Sequence, residues 1–365
     1  MNIPYINLNL QWKKEKRDLL KIIDKVLSAG EYVNTYALEI QKFEKKIAKI
    51  CGTKYAVALN SGTDALTLGL YLLGVRKGDE VITPPNSFIS STSVITHIGA
   101  KPVFVDVLDD QNLDPDLIEK AITKKTKAIM PVHLTGRVCK MKKIISLSRQ
   151  YNIPIIEDAA QSIGSKYYGK PSGSFGKVAC FSTHPLKNLN AVGDGGFLTT
   201  NDQGIFKKAK IFSNHGLVNR NKVNNFGFLS RMDVLQAAIL NYRLKNLNKI
   251  INTRRKNAKF YIENLDKKKY FFLGEKKYEF NTYHTFVIQT KKRNKLIKYL
   301  NSNGIGSAIH YPIPIHLQPA AKYLGYKKGD FPNAEKQSKR IITIPINQNL
   351  NKREIHKIVR TLNEF

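Results

Sequence analysis

Phe181-Ser182-Thr183-His184-Pro185-Leu186-Lys187-Asn188, with Gly193-Asp194-Gly195-Gly196 close behind it, is the stretch on which the reading of this chain turns. The apolar run at 178–181 is too short for a helix and reads as a strand, as does 197–200. The glycines between them give the backbone the freedom to return into the second strand. A lysine is thus carried on a loop between two strand ends. Upstream, the run at 153–157 ends in Glu157-Asp158-Ala159-Ala160-Gln161, which puts a carboxylate at another strand end. Lys187 alone would carry little weight, because the chain holds 60 Lys plus Arg and most such side chains are solvated. Its order relative to Asp158 sets it apart.

Farther out, further short apolar runs at 55–59, 81–83, 102–105 and 128–133 alternate with helical periodicity. Residues 13–28 place Leu19, Leu20, Ile22, Ile23, Val26 and Leu27 at helical spacing and close on Ala29-Gly30. A second helix over 38–50 closes at Gly52, and a third spans 64–73. Asp114-Pro115 has the form of a helix start, with Asp as N-cap and Pro at the first helical position. Such alternation predicts an α/β fold: a mostly parallel sheet flanked by helices on both faces. From about residue 232 one long helix is expected, through Leu235, Ala238, Ile239, Leu244 and Leu247. A strand at 283–289, a helix at 295–303 and apolar runs at 305–309 and 341–346 then read as a small α+β domain. The expected division is an N-terminal arm and large domain over 1–245, and a small C-terminal domain over 246–365.

A length of 365 residues suits two domains, and 42% hydrophobic content indicates a globular chain. No apolar run approaches the roughly 20 residues of a membrane span. The first residues lack a basic and apolar leader pattern, and Cys51, Cys139 and Cys180 form neither a disulfide framework nor a zinc pattern. The chain reads as cytoplasmic and free of metal. The formal net charge of +32 invites a nucleic-acid reading. The lysines are scattered through every segment, however, with no RNP, zinc-finger or helix-turn-helix pattern, so specific nucleic-acid binding is not expected. A positive field would instead attract a small polyanion such as a nucleotide sugar.

Asn60-Ser61-Gly62-Thr63-Asp64 follows a strand and opens a helix, the arrangement in which exposed N–H groups hold an anionic phosphate. The plain alternative is an ordinary turn capped by Ser61 or Thr63. Phe88, in Pro84-Pro85-Asn86-Ser87-Phe88, could stack on a flat heteroaromatic ring or simply belong to the core. Asp158 sits where open α/β sheets bind ligands, and Gln161 is three residues on. Ser182 lies on the lysine loop with a hydroxyl to offer a phosphate. An amine nucleophile and a carboxylate supplied from separate strand ends are what pyridoxal phosphate requires: the lysine makes the Schiff base and the carboxylate pairs with the ring nitrogen.

Taken in order, Ser61 to Leu66, Glu157 to Gln161, Phe181 to Gly196 and the segment Ile309-His310-Tyr311-Pro312-Ile313-Pro314-Ile315-His316-Leu317-Gln318 closely resemble the DegT/DnrJ/StrS-type sugar aminotransferases over nearly the whole chain. The resemblance implies a fold-type I pyridoxal-phosphate enzyme, a homodimer with its active site at the interface. It implies L-glutamate as amino donor, a nucleotide-linked keto sugar as acceptor and cell-surface polysaccharide biosynthesis as a common destination. Lys187 matches the Schiff-base lysine, Asp158 the ring-nitrogen partner, Gln161 the ring-hydroxyl contact and Phe88 the stacking aromatic. Gly62, Thr63 and Ser182 match the phosphate contacts. Tyr311, His316 and Arg231 are candidate substrate contacts, with packing as the competing role for the first two. One branch of the family replaces the lysine with histidine and dehydrates sugars; retention of Lys187 favours transamination over that dehydratase, and a complete catalytic set with no separate DNA-binding domain favours it over a non-catalytic cofactor-binding regulator. Leu229 stands where the family has an Asn that reaches the neighbouring subunit's cofactor phosphate, and Leu has no such donor. The segment at 31–35 is also poorer in glycine than the family's.

Overall fold

A computed structural model describes residues 2–365. Seven strands form the central layer: β1 (Tyr55–Leu59), β2 (Glu80–Thr83), β3 (Lys101–Phe104), β4 (Thr126–Ile129), β5 (Ile156–Asp158), β6 (Val178–Ser182) and β7 (Gly196–Thr200). β2 pairs in parallel with both β3 and β4. Parallel bridges Ile129–Ile155 and Val132–Asp158 join β4 to β5, and β5 runs parallel to β6. β7 lies antiparallel between β6 and β1. The spatial order is therefore β3-β2-β4-β5-β6-β7-β1, with β7 alone reversed. The strand that follows the lysine loop is the reversed one.

Alternation along these strands sends neighbouring side chains to opposite faces. Ala179, Phe181 and Phe197 meet Phe43 and Ile47 of α2 (Leu38–Cys51) on one face, where the Phe181 and Phe197 rings stack at 4.6 Å. Val178, Cys180 and Leu198 meet Leu66 and Leu70 of α3 (Gly62–Leu72) on the other. Burying both faces explains why the strands are continuous apolar runs. Gly69 lets α3 lie against the sheet, since a Cβ there would stand 2.7 Å from Ile156 Cδ1.

Several expected elements shift. The first helix, α1, spans Leu8–Ser28, because Asn7 Oδ1 caps it by accepting from Leu10 N–H. Asp114 does not cap an α-helix: its Oδ1 accepts from Asp116 N–H in a tight turn, and the helix runs only over Ile118–Ala121. The single long helix after residue 232 is two, Val234–Leu244 and Leu247–Asn264, broken at Lys245-Asn246. Toward the C-terminus, strands Phe286–Gln289 and Ile341–Ile344 pair antiparallel over a separate core containing Tyr261, Leu296, Leu300 and Ile358. The run at 305–309 contributes only isolated bridges, Ile305 to Ile3 and Ala308 to Thr343.

Candidate active site

Ser182 and Gly196 are the last paired residues of β6 and β7, and the lysine loop spans the gap between them. Its base is closed by Thr183 N–H to Gly195 O (2.8 Å) and Ala191 N–H to Thr183 O (2.7 Å). Lys187 N–H donates to His184 O at 2.8 Å, which turns the chain at the lysine. Three distant segments hold the loop from outside. Arg243, 5% exposed, donates from Nη1 to the carbonyls of Asn190 (2.7 Å) and Ala191 (3.1 Å), and Glu15 balances its charge at 2.6 Å. Gln11 and Asn190 exchange side-chain hydrogen bonds, Val192 N–H donates to Gln236 Oε1, and Asn188 Nδ2 donates to Thr282 O. Sequence reading had singled out none of Gln11, Glu15, Gln236 or Arg243.

Adjacent carboxylates at the end of β5 point to opposite faces and have different fates. Glu157 accepts N–H bonds from Gly173, Phe175 and Gly176 at 2.7–2.8 Å and is 2.9 Å from His133 Nε2. His133 Nδ1 accepts from Cys139 N–H, so the imidazole proton lies on Nε2 and is donated to Glu157. Glu157 is thereby engaged as an acceptor inside the fold. Asp158, 4% exposed, accepts from Ser91 Oγ at 2.6 Å on Oδ2 and from Ala160 N–H at 3.2 Å on Oδ1. Two acceptances leave lone pairs unused on a carboxylate, which has about four acceptor sites. Ser91, on the helix Ser90–His97, was a second partner that sequence reading had not found.

Lys187 is half-buried, and removal of its amine from water lowers its pKa to about 8. The Asp158 charge works in the opposite direction, raising it, which places the two in electrostatic reach. The same amine acts on two histidines. His310 is lowered to about 4 by burial and by Lys187, and His284 is pushed well down by burial, Lys187, Arg254 and His310. Both imidazoles are neutral near pH 7. His284 Nδ1 is buried without a partner, whereas His310 Nδ1 meets Thr343 Oγ1 at 2.9 Å.

Gln161 Oε1 accepts from Thr135 N–H at 2.8 Å, and its Nε2 reaches the Tyr311 hydroxyl at 3.5 Å. The Tyr311 ring lies 6.0 Å from that of Phe88, which is 54% exposed and therefore not a core residue. At the start of α3, Ser61 is the cap, accepting Asp64 N–H at 3.0 Å, while Thr63 Oγ1 bonds Ser90 Oγ at 3.0 Å. Gly62 meets the lysine loop so closely that a Cβ would stand 2.7 Å from Ser182 Cβ. Ser182 Oγ accepts from His184 N–H at 3.2 Å. The first-turn N–H groups of α3 have no carbonyl in their own helix, so this contact forms an anion-attracting corner.

Two of the expected substrate residues have other engagements. His316 is 2% exposed, bonds Glu335 through Nε2 at 3.1 Å and packs edge-on against Phe331, the packing role that competed with a substrate contact. Arg231 donates to Asn214 Oδ1 at 3.2 Å and keeps a buried Nε without a partner. Leu229 is 55% exposed on a segment that also exposes Phe226 (95%) and Phe228 (39%).

A mixed α/β sheet that presents a desolvated amine and a buried carboxylate at neighbouring strand ends defines a site for covalent amine chemistry. The sequence pattern of the DegT/DnrJ/EryC1/StrS aminotransferase family matches residues 13–363, and the chain belongs to that family. It is 36% identical over its whole length, and 99% of the relative's, to a pleiotropic regulatory protein of Geobacillus stearothermophilus. It is also 36% identical to the UDP-2-acetamido-2-deoxy-3-oxo-D-glucuronate aminotransferase of Pseudomonas aeruginosa, covering 99% of each chain. The structure of S. venezuelae DesV in complex with a ketimine intermediate superimposes with a TM-score of 0.96 at 33% identity, over 100% of this chain and 98% of that one. That of ntda from Bacillus subtilis with bound cofactor PMP does so at 0.92 and 31% identity, over 100% and 85%.

Proposed function

We propose that the chain is a pyridoxal-phosphate-dependent aminotransferase that moves the amino group of L-glutamate to a nucleotide-linked keto sugar in two half-reactions. The observation that carries this reading is the Lys187 amine, lowered to about 8 beside the buried Asp158 carboxylate. The residues fit the cofactor. Asp158 retains unused lone pairs for a ring N–H, and the corner of Gly62, Thr63 and Ser182 suits a phosphate that needs close backbone approach. Phe88 offers an exposed ring face, and Gln161 a side-chain amide near Tyr311. When bound, pyridoxal phosphate supplies an aldehyde that condenses with amines and an electron sink that acidifies the adjacent C–H.

The chain's own residues do the rest. Lys187 would hold the cofactor and, when free, would be the base that takes a proton and the acid that returns it. A pKa of about 8 suits both duties near neutral pH, because the amine exchanges its proton readily there. Asp158, oriented by Ser91, keeps a ring nitrogen protonated. Neutral His284 and His310 add no competing positive charge beside the lysine. The exposed apolar segment of Phe226, Phe228 and Leu229 supports a homodimer in which a second copy covers it. The name of the Pseudomonas relative supports the nucleotide-sugar acceptor.

The decisive experiment incubates the cofactor-loaded protein with L-glutamate and measures 2-oxoglutarate, then adds UDP- or dTDP-linked 3-keto and 4-keto sugars and measures amino sugar. Stoichiometric 2-oxoglutarate before any sugar is added is the expected ping-pong signature. The Geobacillus relative carries a regulator's name. A regulator, or a dehydratase, would leave glutamate unconsumed, and that result would displace the aminotransferase reading.

A further inference from the structure

A cleft of about 710 Å³ opens in the C-terminal part of the chain, where α-helix Pro332–Ser338, the turn after strand Phe286–Gln289 and the segment at 266–271 meet the loop at Asp109. Its size falls within the roughly 300–1,000 Å³ of small-molecule sites. It shares no lining residue with the Lys187 site. Its walls carry the three consecutive lysines 267–269, Lys291, Lys292, Lys336 and Arg340, seven cations against one carboxylate side chain, Asp109. The whole chain has 60 Lys plus Arg to 28 Asp plus Glu, about two to one, so the bias of this concavity exceeds the background. Among the described residues, no ion pair involves any of the seven.

A second observation is independent of charge. Gln337 lines the cleft and is 4% exposed; its Nε2 donates to Leu108 O at 2.8 Å, yet its Oε1 is buried without a partner. A buried acceptor left unmade is costly, and a ligand N–H or O–H would satisfy it. Phe271, 44% exposed, stands at the rim on fixed backbone, bonded both ways to Gln289 at 3.0 and 2.8 Å. Cations, a hydrogen-bond acceptor and an aromatic face are the complement of three parts of one molecule.

We propose that this cleft binds a nucleoside diphosphate. Arg340 and the lysines other than Lys269, whose Nζ donates to Asn363 O, take the diphosphate, Phe271 stacks on the base, and Gln337 Oε1 accepts from a sugar hydroxyl or base amine. The site is separate from the Lys187 chemistry and stands or falls without it.

The test is calorimetric titration of the full chain with UDP, ADP, inorganic pyrophosphate and a dT12 oligonucleotide, repeated on Lys268→Glu/Lys292→Glu and on Phe271→Ala. Both variants change exposed side chains and keep the fold, which circular dichroism verifies. UDP or ADP should bind tighter than pyrophosphate, and added salt should weaken both. The double reversal should cost at least about tenfold in nucleotide affinity through lost phosphate contacts. Phe271→Ala should lower nucleotide affinity toward that of pyrophosphate and leave pyrophosphate unchanged. Absence of any nucleotide-binding component that the double reversal weakens would overturn the proposal, since a nucleotide held at the Lys187 site would be indifferent to it. So would pyrophosphate binding equal to UDP in the native chain, or tighter binding of dT12, which would make the cleft a track for an extended polyanion.

Discussion

At the residue scale, activity depends on one amine and the group that orients its partner. Lys187→Ala should abolish turnover, by at least about a thousandfold, and with it the absorbance of bound cofactor, read by ultraviolet–visible spectroscopy. The pH dependence follows from the sign of the shift. Only the neutral amine attacks an aldehyde, so the rate of cofactor capture by apoprotein should rise as pH passes about 8 and level off above it. Because the Asp158 charge holds that pKa up, Asp158→Asn should move the midpoint downward. A midpoint near the ordinary lysine value of 10.5 would contradict the desolvated site. Ser91→Ala removes one hydrogen bond to a buried carboxylate, worth about 1.5–3 kcal/mol. Its cofactor affinity should fall by about tenfold or more, measured by spectral titration, with the fold intact.

At the element scale, the lysine loop is held by groups far away in the chain, and this is where sequence and structure part. Lys187 and Asp158 were legible because each follows a short apolar run in a recognisable local order. Arg243, Glu15 and Gln11 were not, because a contact spanning 228 residues, such as Arg243 to Glu15, leaves no local period. The reversal of β7 was hidden for a similar reason: an apolar run buried on both faces looks the same in either direction. The break at Lys245-Asn246 leaves no mark in the sequence, because Leu244 and Leu247 continue the apolar spacing across it. Asp114-Pro115 carried the right residues for a helix start, but the Asp114 side chain is used within its own turn. Arg243→Met should strand Glu15 and two loop carbonyls, costing about 3 kcal/mol or more in denaturant unfolding and loosening bound cofactor. Gly62→Ala should spare the overall fold and weaken phosphate binding, since the new methyl would strike Ser182.

At the scale of the whole molecule, one run of the chain gathers several exposed apolar side chains. Phe226, Leu229, Val218 (46%) and Val223 (45%) lie on one hairpin and the chain after it. Light scattering should give the mass of two chains, and Phe226→Asp/Leu229→Asp should shift it to one while lowering cofactor affinity. A native monomer retaining full activity would contradict the shared site. With Leu at position 229 no amide is available there, so either another group of a neighbouring copy takes its place or cofactor affinity is lower. Among the described residues no helix is long and apolar enough to cross a membrane. The strand-by-strand alternation made this α/β architecture readable from sequence, because each layer repeats the same apolar period; the reach between layers had to come from the fold.

The most direct test of the central claim is the absorbance spectrum of the purified protein with pyridoxal phosphate, recorded before and after L-glutamate. A yellow protein is expected, whose long-wavelength band decays as a shorter-wavelength band of the aminated cofactor grows, with no such protein formed by Lys187→Ala. A colourless native protein, or a yellow one unchanged by glutamate, would contradict it.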